Sequence, residues 1–151
     1  MQYLLDTGIL LRLVNRQAVM HDQIRTAVRT LKSQGHVTVS AFQNRAEFWN
    51  VCTRPSAARG GLGLSSEETD RRIRTVERIT GLLPDSPEIY SIWKNLVVTY
   101  AVKGASVHDA RLVALMIFHH IPHILTLNAG DFLRYKQITP VSPEQIIAAK
   151  V

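Results

Sequence analysis

The chain alternates between short apolar runs and longer segments in which apolar residues recur every three or four positions. The short runs predict strands at residues 2–5, 36–40, 81–84 and 122–126. The longer segments predict helices at residues 9–14, 20–33, 41–54, 66–80, 86–103 and 106–118. Residues 136–141 predict a last strand at an edge of the sheet, where Pro140 is tolerated. This alternation indicates an α/β fold with a parallel sheet covered by helices on both faces.

The last of these helices places a carboxylate at the head of a long apolar run. Residues 112–118 carry no polar side chain, so the helix is expected to be buried on most sides. Asp109 lies in its first turn, where an acid is rarely buried without a partner. Ser106 and Asp109 have the spacing of a capping box, and the helix dipole favours an acid there. Helix capping alone is therefore a sufficient local explanation of Asp109.

Three further acids occupy comparable positions. Asp6 and Asp131 follow the ends of the first and fourth strands, and Glu47 lies on the helix after the second strand. Each has a local explanation: Asp6 as a helix N-cap, Asp131 in an Asx-turn or cap, and Glu47 as a solvated helix residue. That helix is expected to begin with a capping box of Ser40 and Gln43. Because carboxyl ends of parallel strands meet at one edge of the sheet, we expect the four acids to converge in one pocket.

Four carboxylates in one pocket repel one another unless a cation compensates. An all-oxygen site selects Mg²⁺ or Mn²⁺, and such an ion activates water and shields charge on a phosphate. The pattern therefore predicts phosphodiester hydrolysis, with one ion or two. A zinc site is the weaker alternative, because His119, His120 and His123 lack a cysteine ligand and a zincin motif.

The net charge of +6 and pI near 9.9 favour a polyanionic partner such as RNA. We expect Arg54 and Arg59 to contact phosphate, because few acids lie near the small-residue loop at 56–63. The arginines of the helix after Ser65 alternate with acids, which is typical of a solvated, salt-bridged face. The length of 151 residues fits one domain.

The cellular setting is expected to be the cytoplasm. Cys52 is the single cysteine, which excludes an intramolecular disulfide and suits a reducing compartment. No segment resembles a signal peptide or a membrane helix. Trp93 and Tyr100 share the apolar stripe of the helix at 86–103, which indicates either core packing or a subunit contact in a homodimer.

Four stretches carry a resemblance to a known family: Leu4-Leu-Asp6-Thr7, Glu47 after the second strand, Val107-His-Asp109-Ala110, and Thr126-Leu-Asn128-Ala-Gly-Asp131-Phe132. In this order and spacing they resemble the PIN domain, the ribonuclease fold of bacterial VapC-type toxins. The resemblance covers nearly the whole chain. It implies a three-layer α/β/α sandwich, divalent-metal-dependent cleavage of RNA, homodimerisation, and a cognate antitoxin that blocks the pocket.

By position, the resemblance implies that Asp6 and Asp109 are the principal metal ligands and that Glu47 holds a metal or its water. Asn128 and Asp131 divide the role of the fourth ligand. Polar supports at the site are implied as well, and these are Thr7 and Thr126. The implied function is an endoribonuclease toxin of a type II toxin-antitoxin pair. The alternatives are a housekeeping RNA-processing PIN nuclease and a catalytically silent PIN-like module that binds RNA or protein.

Overall fold

A computed structural model describes residues 1–149. The five strands are β1 Gln2–Leu5, β2 Val37–Ala41, β3 Gly81–Leu83, β4 His123–Leu125 and β5 Thr139–Val141. The helices are α1 Thr7–Leu13, α2 His21–Ser33, α3 Phe42–Thr53, α4 Ser66–Ile79, α5 Ile89–Thr99, α6 Ser106–Phe118 and α7 Pro143–Ala148. The strands form one parallel sheet in the order β3-β2-β1-β4-β5.

The sheet separates two apolar cores. Side chains alternate along a strand, so Leu4 faces the core built with α5 and α6, whereas Tyr3 and Leu5 face the core built with α1, α2, α3 and α4. The predicted three-layer α/β/α sandwich with a central parallel sheet is therefore confirmed. Prediction missed α7, although Ser142 and Gln145 form a capping box that was readable in the sequence.

The helix α6 is as buried as its apolar sequence predicts. The residues Ala110 and 112–116 are buried, and they pack between the sheet and α5. The predicted capping box of Ser106 and Asp109 is wrong. The N-cap is Ala105, and Ser106 already lies inside the helix, so no side chain caps this end. Capping therefore does not explain the position of Asp109.

The start of α3 also differs from its prediction, because Ser40 is the fourth residue of β2 and not a cap. Its Oγ is buried, lies 2.8 Å from Thr80 Oγ1 and accepts a hydrogen bond from Arg45 Nε. The N-cap is Ala41, whose N–H donates to Asn44 Oδ1 at 2.9 Å. The side of α3 that carries Asn44 therefore faces the interior of the protein. Phe42 lies on another side of the helix and is 64% exposed.

The aromatic residues of α5 pack partly into the core on the α6 side. Trp93 is half-buried, and its indole N–H donates to the carbonyl of Val107 at 2.9 Å. Tyr100 is also half-buried, and its ring meets Tyr135 edge-on at 5.1 Å. None of the helices formed by residues 1–149 combines the length and the apolar character needed to cross a bilayer.

Candidate active site

The four acids reach one edge of the sheet on four different elements. Asp6 directly follows β1, and Glu47 lies in the second turn of α3, which follows β2. Asp131 ends a single 3-10 turn after β4, and Asp109 lies in the first turn of α6. Because the sheet is parallel, the segments that follow its strands meet at the carboxyl-terminal edge.

Asp6 is fixed by hydrogen bonds to both of its carboxylate oxygens. The backbone N–H of Thr7 donates to Oδ1 at 2.8 Å, and the hydroxyl of Thr126 donates to Oδ2 at 2.7 Å. Asp6 is also the N-cap of α1. The capping interpretation and the site interpretation are therefore compatible, because each oxygen retains further lone pairs.

Glu47 is held in the same way and is not a solvated helix residue. The hydroxyl of Thr7 donates to its Oε2 at 2.8 Å, and the amide of Gln43 donates to its Oε1 at 3.0 Å. The amide of Asn44 donates to the same Thr7 hydroxyl at 3.2 Å. The interpretation of Glu47 as a solvated helix residue was wrong, because α3 places this carboxylate against Thr7 of α1.

The amide of Gln43 links two elements of the site. In addition to its bond with Glu47, it donates to the carbonyl of His108 on α6 at 2.9 Å. Its own Oε1 is buried and has no partner among the described residues. This oxygen is therefore free to accept a hydrogen bond from a bound water or ligand.

The charges of neighbouring acids act on the carboxyl groups of Asp6 and Asp109. Burial raises the pKa of Asp6, and the charges of Glu47 and Asp131 raise it further, against hydrogen bonds from Thr126 and Thr7. Burial raises the pKa of Asp109 to about 6, with contributions from the charges of Asp6, Asp131 and Glu47. In residues 1–149 no ion pair involves any of the four acids.

This donor set fits a hard cation that keeps part of its water shell. All the donors are oxygens, and their unrelieved repulsion favours a positive ion. Across residues 1–149 no three His, Cys, Asp or Glu side chains are close enough to form a preformed ion cage. Mg²⁺ does not require one, because one or two carboxylates and several waters suffice. The orphaned Gln43 Oε1 provides a buried acceptor for such a water.

The family model for the PIN domain matches residues 3–137. The chain belongs to the PIN domain family. The match contains all four acids, Thr7, Thr126 and Gln43, so the family assignment and the cleft concern the same residues. No curated protein matches the chain in sequence.

Solved structures of toxin-antitoxin proteins share the fold of this PIN domain. VapBC2 of Rickettsia felis, bound to a DNA fragment from their promoter, has a TM-score of 0.72 at 14% identity, covering 94% of this chain and 98% of that one. VapBC-1 of nontypeable Haemophilus influenzae has a TM-score of 0.67 at 18% identity, covering 95% and 99%. VapC20 of Mycobacterium tuberculosis, a toxin that cleaves the sarcin-ricin loop, has a TM-score of 0.62 at 16% identity, covering 90% and 96%. At these identities the likeness shows the fold alone.

Asn128 and Asp131, the two candidates for the fourth ligand, occupy different positions in the PIN domain. Asn128 is exposed, and its backbone N–H donates to the Thr126 hydroxyl at 3.0 Å. Asp131 is exposed as well, but its charge raises the pKa values of both Asp6 and Asp109. Its carboxylate is therefore part of the electrostatic environment of the cleft.

The predicted phosphate contacts lie apart from the acids. Arg54 follows Glu47 by seven residues, which is about 10 Å along a helix. Its guanidinium donates to the carbonyl of Arg59 at 2.8 Å and so holds the loop after α3. Arg59 itself is exposed. Among the described residues, the three histidines considered for zinc do not form a group that could hold a metal; His119 bonds to the Pro84 carbonyl and the His123 ring stacks on Tyr3.

Prediction from sequence missed Gln43, Asn44 and His108 as parts of the site. Gln43 carried a readable signal, because a Gln four residues before a Glu places both on one helix face. Asn44 carried none, since its role depends on where α3 begins. His108 enters through its backbone carbonyl, which no side-chain pattern reveals.

The pKa of Asp109 predicts a pH-dependent gain in stability for Asp109→Asn without divalent metal. The folded-state pKa of about 6 lies above the ordinary aspartate pKa of 3.8, so ionisation costs folding free energy as pH rises between these values. The variant should match the parent below about pH 4 and exceed it by about 1 kcal/mol above pH 6, allowing for solvent screening. Urea unfolding in EDTA measures the difference.

Asp22→Asn is the matched control, because Asp22 is an exposed acid in the first turn of α2. It should lose a few tenths of a kcal/mol to about 1 kcal/mol through the helix dipole. A similar loss for Asp109→Asn at pH 7 would show that the dipole outweighs repulsion in the cleft.

Proposed function

We propose that the chain is a divalent-metal-dependent endoribonuclease, the toxin of a type II toxin-antitoxin pair. The observation that carries the proposal is the convergence of four acids at one edge of the sheet of a PIN domain, where the charges of Glu47 and Asp131 raise the pKa values of Asp6 and Asp109. Carboxylates gathered without a cationic partner favour a divalent ion, and a polyanionic substrate needs one to approach them.

Asp6 and Asp109 are proposed to bind the ion directly. A bound Mg²⁺ or Mn²⁺ supplies polarisation of the phosphate and a water of lowered pKa. Thr7 and Thr126 hold the Asp6 carboxylate in one orientation, so the position of the ion is set by the end of β1. Asp131 is proposed to complete the site rather than Asn128, because its charge acts on both ligands.

Glu47 is proposed to position the attacking water. Its two oxygens are oriented by Thr7 and Gln43, and each retains a lone pair for a hydrogen bond from that water. The buried Gln43 Oε1 is a second acceptor close to the same carboxylate. Two acceptors on one helix can fix both hydrogens of a water and direct its lone pair to phosphorus.

The toxin assignment is supported by the solved structures that have a similar fold. The neighbours include VapBC and FitAB complexes and VapC20, which cleaves the sarcin-ricin loop. On this basis we propose RNA as substrate and a cognate antitoxin as protein partner. A housekeeping PIN nuclease shares the same chemistry and differs in its RNA. A silent module that binds RNA or protein is less well supported, because acids occupy all three well-matched positions, Asp6, Glu47 and Asp109.

Asp109→Asn should nearly abolish RNA cleavage, because the variant keeps the shape of the side chain and removes the charge that binds the ion. The rise in melting temperature caused by Mg²⁺ or Mn²⁺ should shrink in parallel, since ligands stabilise the state that they bind. Asp22→Asn should leave cleavage and the metal shift unchanged. An active Asp109→Asn variant with an undiminished metal shift would remove Asp109 from the catalytic site.

RNA affinity should fall steeply with salt, and the arginines of the loop after α3 should carry part of this dependence. Replacing Arg54 and Arg59 with Ala should reduce the slope of log K against log salt by about 1.5 to 2 if each neutralises one phosphate. Arg71 and Arg74 provide the control pair, because they are already paired with Glu68 and Asp70. An unchanged slope after replacement of Arg54 and Arg59 would move the RNA path to another face, and an equal reduction by both pairs would indicate an effect of net charge rather than of the loop.

A homodimer is the remaining expectation, with Trp93 and Tyr100 as candidate contacts. Both are half-buried within the subunit, so only part of each ring is accessible to a second copy. We expect sedimentation at micromolar concentration to show a dimer. A monomer would return both residues to a purely intramolecular role.

A further inference from the structure

A cavity lies beside the four acids, between the start of α5 and the first turns of α6. Its volume is about 410 Å³. Its walls combine aromatic, cationic and small polar side chains, and they include Asp85, Ser86, Tyr90, Trp93, His108 and Arg111. The cleavage chemistry proposed above uses none of these side chains, although Trp93 is also a candidate dimer contact.

The aromatic wall is a platform of two rings. Tyr90 is 63% exposed, and its ring centroid lies 6.0 Å from that of Trp93 with an interplanar angle of 36°. The Trp93 ring is fixed, because its indole N–H is bonded to Val107. The polar requirement of the indole is therefore already met, and its open face is suited to stacking.

The opposite wall carries one cation, Arg111, and the ring of His108. His108 and Arg111 are three residues apart on α6 and so project from the same side of the helix. Arg111 pairs only loosely with Asp85, at 3.7 Å, and both side chains are more than half exposed. Such an exposed pair contributes little, so a phosphate can replace the carboxylate as partner of the guanidinium.

The cavity is adjacent to the acids through α6. His108 lines the cavity and immediately precedes Asp109, whose side chain lies about 100° further around the helix. The amide of Gln43 bonds both to the His108 carbonyl and to Glu47. A nucleotide in this cavity would therefore be a near neighbour of a phosphate at the acids.

We propose that this cavity binds an unpaired nucleobase of the RNA next to the cleaved phosphate. The base stacks on Tyr90 and Trp93, Arg111 binds the adjoining phosphate, and Asp85 with Ser86 contacts the edge of the base. Two aromatic rings that line the cavity, beside a guanidinium that is only loosely paired, favour this occupant over an apolar protein surface. The inference rests on RNA being the substrate, and it adds a defined binding place for one base, which only an unstacked base can enter.

The test measures binding of fluorescent RNA by anisotropy in the Asp109→Asn background, with EDTA to prevent metal-dependent cleavage. The probes are eight-nucleotide oligo(A) and oligo(U), an abasic ribose-phosphate chain of the same length, and an eight-base-pair duplex. The variants are Tyr90→Ala, Tyr90→Phe and Arg111→Ala. Val98→Ala is the control, since Val98 is exposed on the same helix and does not line the cavity.

Tyr90→Ala should weaken binding of the two base-bearing single strands roughly tenfold and leave the abasic chain and the duplex unchanged. Tyr90→Phe should restore the affinity, because the ring is retained. Arg111→Ala should weaken base-bearing and abasic chains alike and reduce the salt slope by about one. Val98→Ala should change neither.

Three results would overturn the inference: no measurable binding of either base-bearing strand, no loss with Tyr90→Ala, or an equal loss for base-bearing and abasic chains. Sedimentation of the same samples provides a fourth, because a dimer that Tyr90→Ala converts to monomers would make the cavity a contact between copies. Cleavage by the unmodified chain with Mg²⁺ is scored separately. If cleavage is absent but the Tyr90 effect holds, the base-binding cavity stands and the nuclease assignment fails.

Discussion

Repulsion among carboxylates at the carboxyl-terminal edge of the sheet is the constraint on which the site depends. Burial and mutual charge raise the pKa values of Asp6 and Asp109, so the fold holds these groups together against an electrostatic cost. Hydrogen bonds from Thr7, Thr126 and Gln43 hold Asp6 and Glu47 in place. The free energy for this arrangement comes from the apolar packing of α6 and the sheet below it.

One buried side chain connects the fold to this arrangement. Asn44 accepts the N–H of Ala41 and so sets where α3 begins, and it donates to the Thr7 hydroxyl that orients Glu47. The Asn44 side chain therefore sets which side of α3 faces the protein interior and how the Glu47 carboxylate is oriented. A site built in this way is sensitive to changes that never touch a ligand, because a shift of the helix start moves every residue along it.

The order of strands and helices could be predicted from the sequence because apolar periodicity reports burial directly, as in β1, α2 and α6. The hydrogen-bond partners of each acid could not be predicted, because hydrogen bonds between distant segments leave no local signal. Ser40 shows the limit: its spacing to Gln43 matches a capping box, but its hydroxyl lies 2.8 Å from Thr80 Oγ1, forty residues away. The convergence of the acids was predictable only through the geometry of a parallel sheet.

The strand order also makes the backbone at Asp6 more rigid than the backbone at Asp131. Asp6 follows the middle strand, and its N–H extends the ladder to the carbonyl of Leu125 at 3.0 Å, whereas Asp131 is exposed on one 3-10 turn. The conformational entropy of Asp6 is lost during folding, and that of Asp131 is lost only when a ligand arrives. In the proposed nuclease, ions of slightly different radius would therefore be accommodated by movement of Asp131 alone, while Asp6 stays fixed to the centre of the sheet.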